Sequence, residues 1–136
     1  MSTDEERAQG LYHRGRELMD AGSLEDAIQA LSQSAELHPH FKTLELLGEC
    51  YLSVGRVREA IVPLAAATSL NEQSRAPALL ADALYKLGDN EQAIRLARLA
   101  MLRAPSNKLA RSVLARLGVE VDNDAQPSAR GDAREA

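Results

Sequence analysis

The chain has 136 residues, of which 45% are apolar and only 3% aromatic, and a net charge of −4; that is material for one domain with a core of Leu, Ala, Ile and Val. Abundant Ala and Leu, with few aromatic and β-branched residues, point to an all-α fold. From Gly118 onward five acids face two arginines, which leaves −1 on residues 1–117 and no overall basic excess for a nucleic-acid footprint.

Residues 4–20 open the helical pattern. Asp4, Glu5 and Glu6 place negative charge at its start, where the helix dipole favours it. Ala8, Leu11, Gly15 and Leu18 recur at spacings of three and four, giving one apolar stripe. Gly22 is placed to end the helix in a left-handed cap. Ser23 is expected to cap a second helix, with Asp26 three residues on. That helix should bury Leu24, Ala27, Ile28, Leu31 and Ala35 and stop before Pro39, because the residue before a proline avoids α geometry.

A second hairpin opens near Phe41. Leu44, Leu47, Gly48 and Tyr51 form its first inward stripe, Gly55 ends that helix, and Ala60, Ile61, Leu64, Ala67 and Leu70 line the next. Pro63 is out of place there: an interior proline removes a backbone hydrogen bond at a cost of roughly 3 kcal/mol, so a bend or a late helix start is expected. The third hairpin opens near Arg75, with Pro77 tolerated in the first turn. Leu80, Ala81 and Leu84 face inward and Gly88 ends the helix. Asp89 caps the next one, with Gln92 three residues later, and Ala93, Ile94, Ala97 and Ala100 follow before Pro105. Ser106 is expected to cap a seventh helix reaching about Leu117, with Leu109, Val113, Leu114 and Leu117 on one face. Lys108, Arg111 and Arg116 supply the polar side that a terminal solenoid element needs. Residues after Gly118 lack the apolar content to fold alone.

The hairpins are copies of one another. Gly22, Gly55 and Gly88 are 33 residues apart, as are Ala27-Ile28, Ala60-Ile61 and Ala93-Ile94. Each first helix carries a small residue at Gly15, Gly48 or Ala81, each second helix an alanine at Ala27, Ala60 or Ala93, and a terminal proline appears at Pro39 and Pro105, with Glu72 in its place in the middle unit. This resembles the tetratricopeptide repeat, whose pattern pairs a large-small dyad in its first helix with an alanine in its second and a proline at the unit end. The dyads here are Arg14-Gly15, Leu47-Gly48 and Leu80-Ala81, followed by Leu18, Tyr51 and Leu84. The period is one residue short of the usual 34, and the aromatic expected near Leu11, Leu44 and Pro77 is absent. An ankyrin array shares the 33-residue period, but its Thr-Pro-Leu-His signature is missing.

The resemblance implies a right-handed α-solenoid of seven helices. Residues 1–117 would form the domain, with repeats over about 8–40, 41–73 and 74–105 and a capping helix over 106–117; residues 118–136 would be an acidic disordered tail. It also implies a non-catalytic adaptor or scaffold that binds a peptide or partner helix in the concave groove lined by the first helices. By register the groove positions are Tyr12, His13 and Arg16 with Gln9 in the first unit, Lys42, Glu45, Leu46 and Glu49 in the second, and Arg75, Leu79, Asp82, Tyr85 and Lys86 in the third. Tyrosines there offer a flat apolar face with a hydroxyl, which suits binding surfaces; the plainer alternative is that Tyr85 packs on its own hairpin and the charges form a solvated face. Family members that hold chaperone C-terminal tails use Lys, Asn, Asn, Lys and Arg at positions corresponding to Tyr12, Arg16, Leu46, Arg75 and Leu79. Only Arg75 keeps the required charge, which argues against that ligand. The competing function is structural self-assembly through solenoid ends or the convex face.

Other motifs carry less. His38-Pro39-His40 has no cysteine or nearby acid to complete a tetrahedral metal set and reads as a loop between units. His13 has no nucleophile or acid partner in this register, so no catalytic set, metal or cofactor is expected. Cys50 sits on a packing face as a small apolar residue, and as the single cysteine it excludes an intrachain disulfide. Arg130-Gly131-Asp132 matches an adhesion tripeptide by coincidence of composition. The polar start, MSTDEERAQG, does not read as a signal peptide, and no apolar run approaches the roughly 20 residues needed to span a bilayer. A cytoplasmic protein without membrane insertion is expected.

Overall fold

The computed structural model describes residues 3–121. Among these residues there are seven helices and no strand: α1 (Asp4–Asp20), α2 (Leu24–Leu37), α3 (Phe41–Ser53), α4 (Val57–Leu70), α5 (Ala76–Lys86), α6 (Asn90–Arg103) and α7 (Lys108–Arg116). Contacts run from each helix to the next in sequence, so the helices form three antiparallel hairpins plus one further helix stacked in a row. The architecture is an all-α solenoid of helical repeats.

Local chemistry explains the boundaries. Thr3 and Glu6 form a reciprocal cap on α1: the Glu6 amide donates to Thr3 Oγ1 at 3.1 Å and the Thr3 amide donates to Glu6 Oε1 at 3.4 Å. Gly22, Gly55 and Gly88 end the first helix of each hairpin with φ of +81°, +82° and +83°, a region costly for side-chain-bearing residues. At Gly55 the reversal is fixed by two bonds, Gly55 N–H to Leu52 O at 3.1 Å and Arg56 N–H to Tyr51 O at 2.9 Å.

Some expectations change. The side chain of Ser23 makes no cap hydrogen bond to α2. The cap of α7 is Asn107 rather than Ser106, its Oδ1 accepting from the Ala110 amide at 2.9 Å. Leu70 is 55% exposed, not buried, because α4 ends there and the chain leaves the stripe. Pro63 neither delays nor divides its helix: α4 starts at Val57 and continues through it. The proline lies at the buried stripe position held by Ala30 one unit earlier. It keeps the apolar contact while leaving the Glu59 carbonyl without its helical N–H.

Small residues set how closely the paired helices approach. A Cβ at Gly15 would lie 2.6 Å from Leu31, and one at Gly48 would overlap Leu64. One period later the pair changes size on both sides: Ala81 and Ala97 stand where Gly48 and Leu64 stood, both fully buried in one cluster. The core is a chain of three overlapping clusters, with Tyr51 shared by the first two and Leu84 and Leu96 by the last two. Each repeat is therefore stabilised by its neighbours rather than by a single central core.

Past α7, the Val119 amide donates to Leu114 O at 2.9 Å, and Val119 and Val121 pack against the last cluster. The expected acidic tail beyond residue 121, with the Arg130-Gly131-Asp132 tripeptide, lies outside the described residues.

Candidate functional site

The two sides of the solenoid differ. The backbones of the first helices approach one another, α1 against α3, α3 against α5 and α5 against α7, while those of α2, α4 and α6 stay farther apart and are bridged by long side chains, Arg103 Nη1 donating to the Thr68 carbonyl at 3.2 Å and Arg56 pairing with Glu25 at 3.0 Å. A row of helices in contact on one side and spread on the other is curved, with α1, α3 and α5 lining the inner side. Every predicted groove residue belongs to these three helices except Arg75, which precedes α5.

The structure gathers only some of them. At the start of α1 and α3 a cleft of about 370 Å³ is lined by Gln9, Tyr12 and His13 from α1, Lys42 and Thr43 from α3, and the end of α2 and following loop, including Ser34, His38 and His40. Tyr12 is half-buried and stacks edge-on with His13 at 5.4 Å between ring centroids. His13 and Lys42 are exposed. The cleft therefore combines an aromatic face, a phenol hydroxyl, three imidazoles and an ammonium group, with the Glu5 carboxylate also in its lining. Ser34 was not legible as a site residue. It is buried in the apolar stripe of α2 and donates to the Ala8 carbonyl at 2.7 Å, tying the two helices together beneath the cleft. Its polarity at a core position was the available signal.

The histidine pair has a structural role. His40 caps α3, its Nδ1 accepting from the Lys42 amide at 3.1 Å, and its ring stacks on Phe41. His38 ends α2, 6.5 Å from His40 between ring centroids. Among the described residues no group of three His, Cys, Asp or Glu side chains is placed to hold a metal ion.

Toward the middle of the groove the charges are engaged with one another. Glu45 is buried rather than presented to the groove, because its carboxylate caps the start of the third hairpin. Glu45 Oε2 accepts from Ser74 Oγ at 2.6 Å and from the Arg75 amide at 2.9 Å. Arg75 folds back over the same junction, with Nη2 2.9 Å from Glu49 and Nε 3.5 Å from Glu45. Burial pulls the Arg75 guanidinium down, and the hydrogen bond and charges of Glu49 and Glu45 more than offset it and raise it. The one charge that matched the chaperone-tail pattern is thus held by two carboxylates of its own chain. The signal for this junction was an acid set among Leu44, Leu46 and Leu47.

Farther along, Lys86 pairs with Asp82 at 3.0 Å. Leu46, Leu79 and Tyr85 are half-buried against successive clusters, Tyr85 against the one that α5, α6 and α7 share. Arg16 is exposed and outside the cleft lining. Cys50 is fully buried; burial, then the nearby Glu49 charge, pushes its thiol up to about 11, which makes it an unreactive core group at neutral pH. No described helix is long and apolar enough to cross a membrane.

Comparison with known proteins agrees with this geometry. The family model described as tetratricopeptide repeat matches residues 18–76, while no curated protein matches the chain in sequence. An Arabidopsis OM64 TPR domain is 16% identical with a TM-score of 0.78, covering 84% of this chain and 96% of that one. The second TPR domain of human RPAP3, solved in complex with an HSP70 peptide, is 22% identical with a TM-score of 0.77, covering 84% and 97%. The Yersinia enterocolitica type III secretion chaperone SycD, solved with a peptide of the translocator YopD, is 20% identical with a TM-score of 0.68, covering 81% and 86%. With a sequence match from the end of α1 to the start of α5 and a shared fold along the described chain, these three hairpins and the further C-terminal helix are similar to tetratricopeptide-repeat domains.

Proposed function

We propose that this domain is a non-catalytic protein-interaction adaptor that holds an extended peptide or a partner helix on its inner side, anchored in the cleft between α1 and α3. The observation that carries the reading is the cleft itself. It is a concavity at the one end of the groove where Tyr12, His13 and Lys42 are not engaged in ion pairs with other described residues. An aromatic face beside a few polar anchors is the composition at which binding energy concentrates. Two domains of similar fold, from human RPAP3 and Yersinia SycD, were solved with peptides, which supports a peptide as the ligand class. The substitutions at Tyr12, Arg16, Leu46 and Leu79, with Arg75 occupied, direct this groove away from chaperone tails. We place the binding unit at residues 1–117, with repeats over 8–40, 41–73 and 74–105 and a cap over 106–117, on which Val119 and Val121 of the following segment also pack. A lone buried thiol fits a reducing compartment such as the cytoplasm.

The test is selection of peptides by display against the full chain, followed by calorimetry. Tyr12→Ala and Lys42→Ala should each weaken the selected peptides at least about tenfold, about 1.4 kcal/mol; the exposed Lys42→Ala should do so without moving the circular-dichroism melt, whereas Tyr12 also packs on the first cluster, so its variant is compared at a temperature where it is fully folded. Arg58→Ala, on the exposed side of α4, should leave affinity unchanged. Equal affinity for wild type and both cleft variants would refute the assignment of the cleft.

A further inference from the structure

The charge that nearly cancels over residues 1–117 is segregated along the solenoid. From residue 3 to residue 40 there are eight acids and three arginines, a net −5; from residue 90 to residue 117 there are six basic residues and one acid, a net +5. These segments form the first hairpin and the last helices, the two ends of the row. At the first end Glu17, Asp20, Asp26 and Glu36 are exposed and have no ion-pair partner among the described residues; at the last end the same holds for Arg98, Lys108 and Arg116. The basic end is also structurally incomplete. In register, α7 is the first helix of a fourth hairpin, and among the described helices it contacts only α5 and α6, so one of its sides has no partner helix among the described residues. Beside it, Arg95, Arg98 and Leu102 fall on one stripe of α6, where Leu102 is 82% exposed and offers an apolar centre within a basic surround.

We propose that the basic outer side of α6 and α7 docks on the acidic first hairpin of a second copy, so that chains associate head to tail. This goes beyond the groove reading and does not depend on it. Charge complementarity selects the occupant: a first hairpin at −5 matches a last unit at +5, whereas a two-fold dimer joining like ends would set like charges together. A heterologous contact of this kind leaves one acidic and one basic end open after each addition, so growth does not stop at two copies. Steering between the ends acts over about 30 Å at 0.01 M salt and only about 3 Å at 1 M.

Sedimentation of the full chain over a wide concentration range tests this. In dilute salt the weight-average mass should rise above 14.7 kDa without a plateau at the dimer, and it should return to 14.7 kDa near ~1 M salt. The variant R98E/K108E/R116E takes the last segment from +5 to −1 and so has two acidic ends, and E17K/D20K/E36K takes the first segment from −5 to +1 and so has two basic ends. Each alone should lose assembly, and an equimolar mixture should regain it as alternating pairs. All six side chains are exposed, so both variants should keep the wild-type melt, and the salt dependence of the wild type stands if one fails to fold. A monomer at every concentration in dilute salt, a plateau at the dimer, assembly that persists in either variant, or a mixture that stays monomeric would each overturn the proposal. So would binding of an acidic peptide or oligonucleotide to the basic end of a chain that remains monomeric.

Discussion

Gly48 has no side chain because Leu64 fills that space, and the matching pair one period later shows the constraint is on combined volume. Ala81 tolerates a methyl group because Ala97 has given up a leucine's worth of carbon. Gly48→Ala alone should therefore cost about 1–3 kcal/mol through overpacking, and Leu64→Ala alone about 2–5 kcal/mol through the cavity it leaves. Together they should cost clearly less than the sum, since the new methyl enters the space the leucine vacates. Denaturant melts of the two single variants and the double variant measure this; strict additivity would refute the shared-volume account. Half of this was legible beforehand. The small residues announce themselves by recurring every 33 positions, but the compensating change at Ala97 has meaning only once the two helices are seen to face each other.

The helices were readable because what bounds them is local: a glycine at +φ, a side chain reaching an amide three residues on, an apolar stripe at helical spacing. What joins one hairpin to the next was not, because its partners are far apart in sequence. Glu45 is a member of an apolar run by position, yet its carboxylate accepts from Ser74 and Arg75, 29 and 30 residues later. The middle unit has the exposed Glu72 where the others have proline, and the buried Glu45 carboxylate supplies the fixed start for α5 instead. Glu45→Ala should remove about 1.5–3 kcal/mol, the range for hydrogen bonds to a charged group, and the loss should be uneven. Hydrogen exchange should speed up first in α5, α6 and α7, while α1 and α2 keep their protection, as nearest-neighbour stabilisation requires. Uniform acceleration over all seven helices would show that Glu45 is not a junction residue. The same limit applies to the site. Tyr12, His13 and Lys42 follow from the repeat register, whereas the cleft that unites them with Ser34 and Thr43 depends on how α3 docks beside α1.

Across the described residues the repeats form a row whose last helix, α7, has no second helix paired with it. Helix α7 covers the apolar side of α5 and α6, burying Ala110, Val113 and Leu114 against Ala78, Ala81, Ala97 and Ala100. A chain ending at residue 106 should expose that surface, bind a hydrophobic dye and melt several degrees lower, given about 4–8 °C per kcal/mol for a domain of this size class. A truncated chain with an unchanged melt and no dye binding would show that α7 is not a cap. The bend of the row has a mechanical consequence as well. The inner helices already touch, so curling more tightly meets an immediate steric stop, while the wider backbone spacing of α2, α4 and α6, spanned by flexible arginines, leaves slack for straightening. The coil is stiff in one direction and yielding in the other: it can open around something broad, but it has no way to squeeze down on something thin.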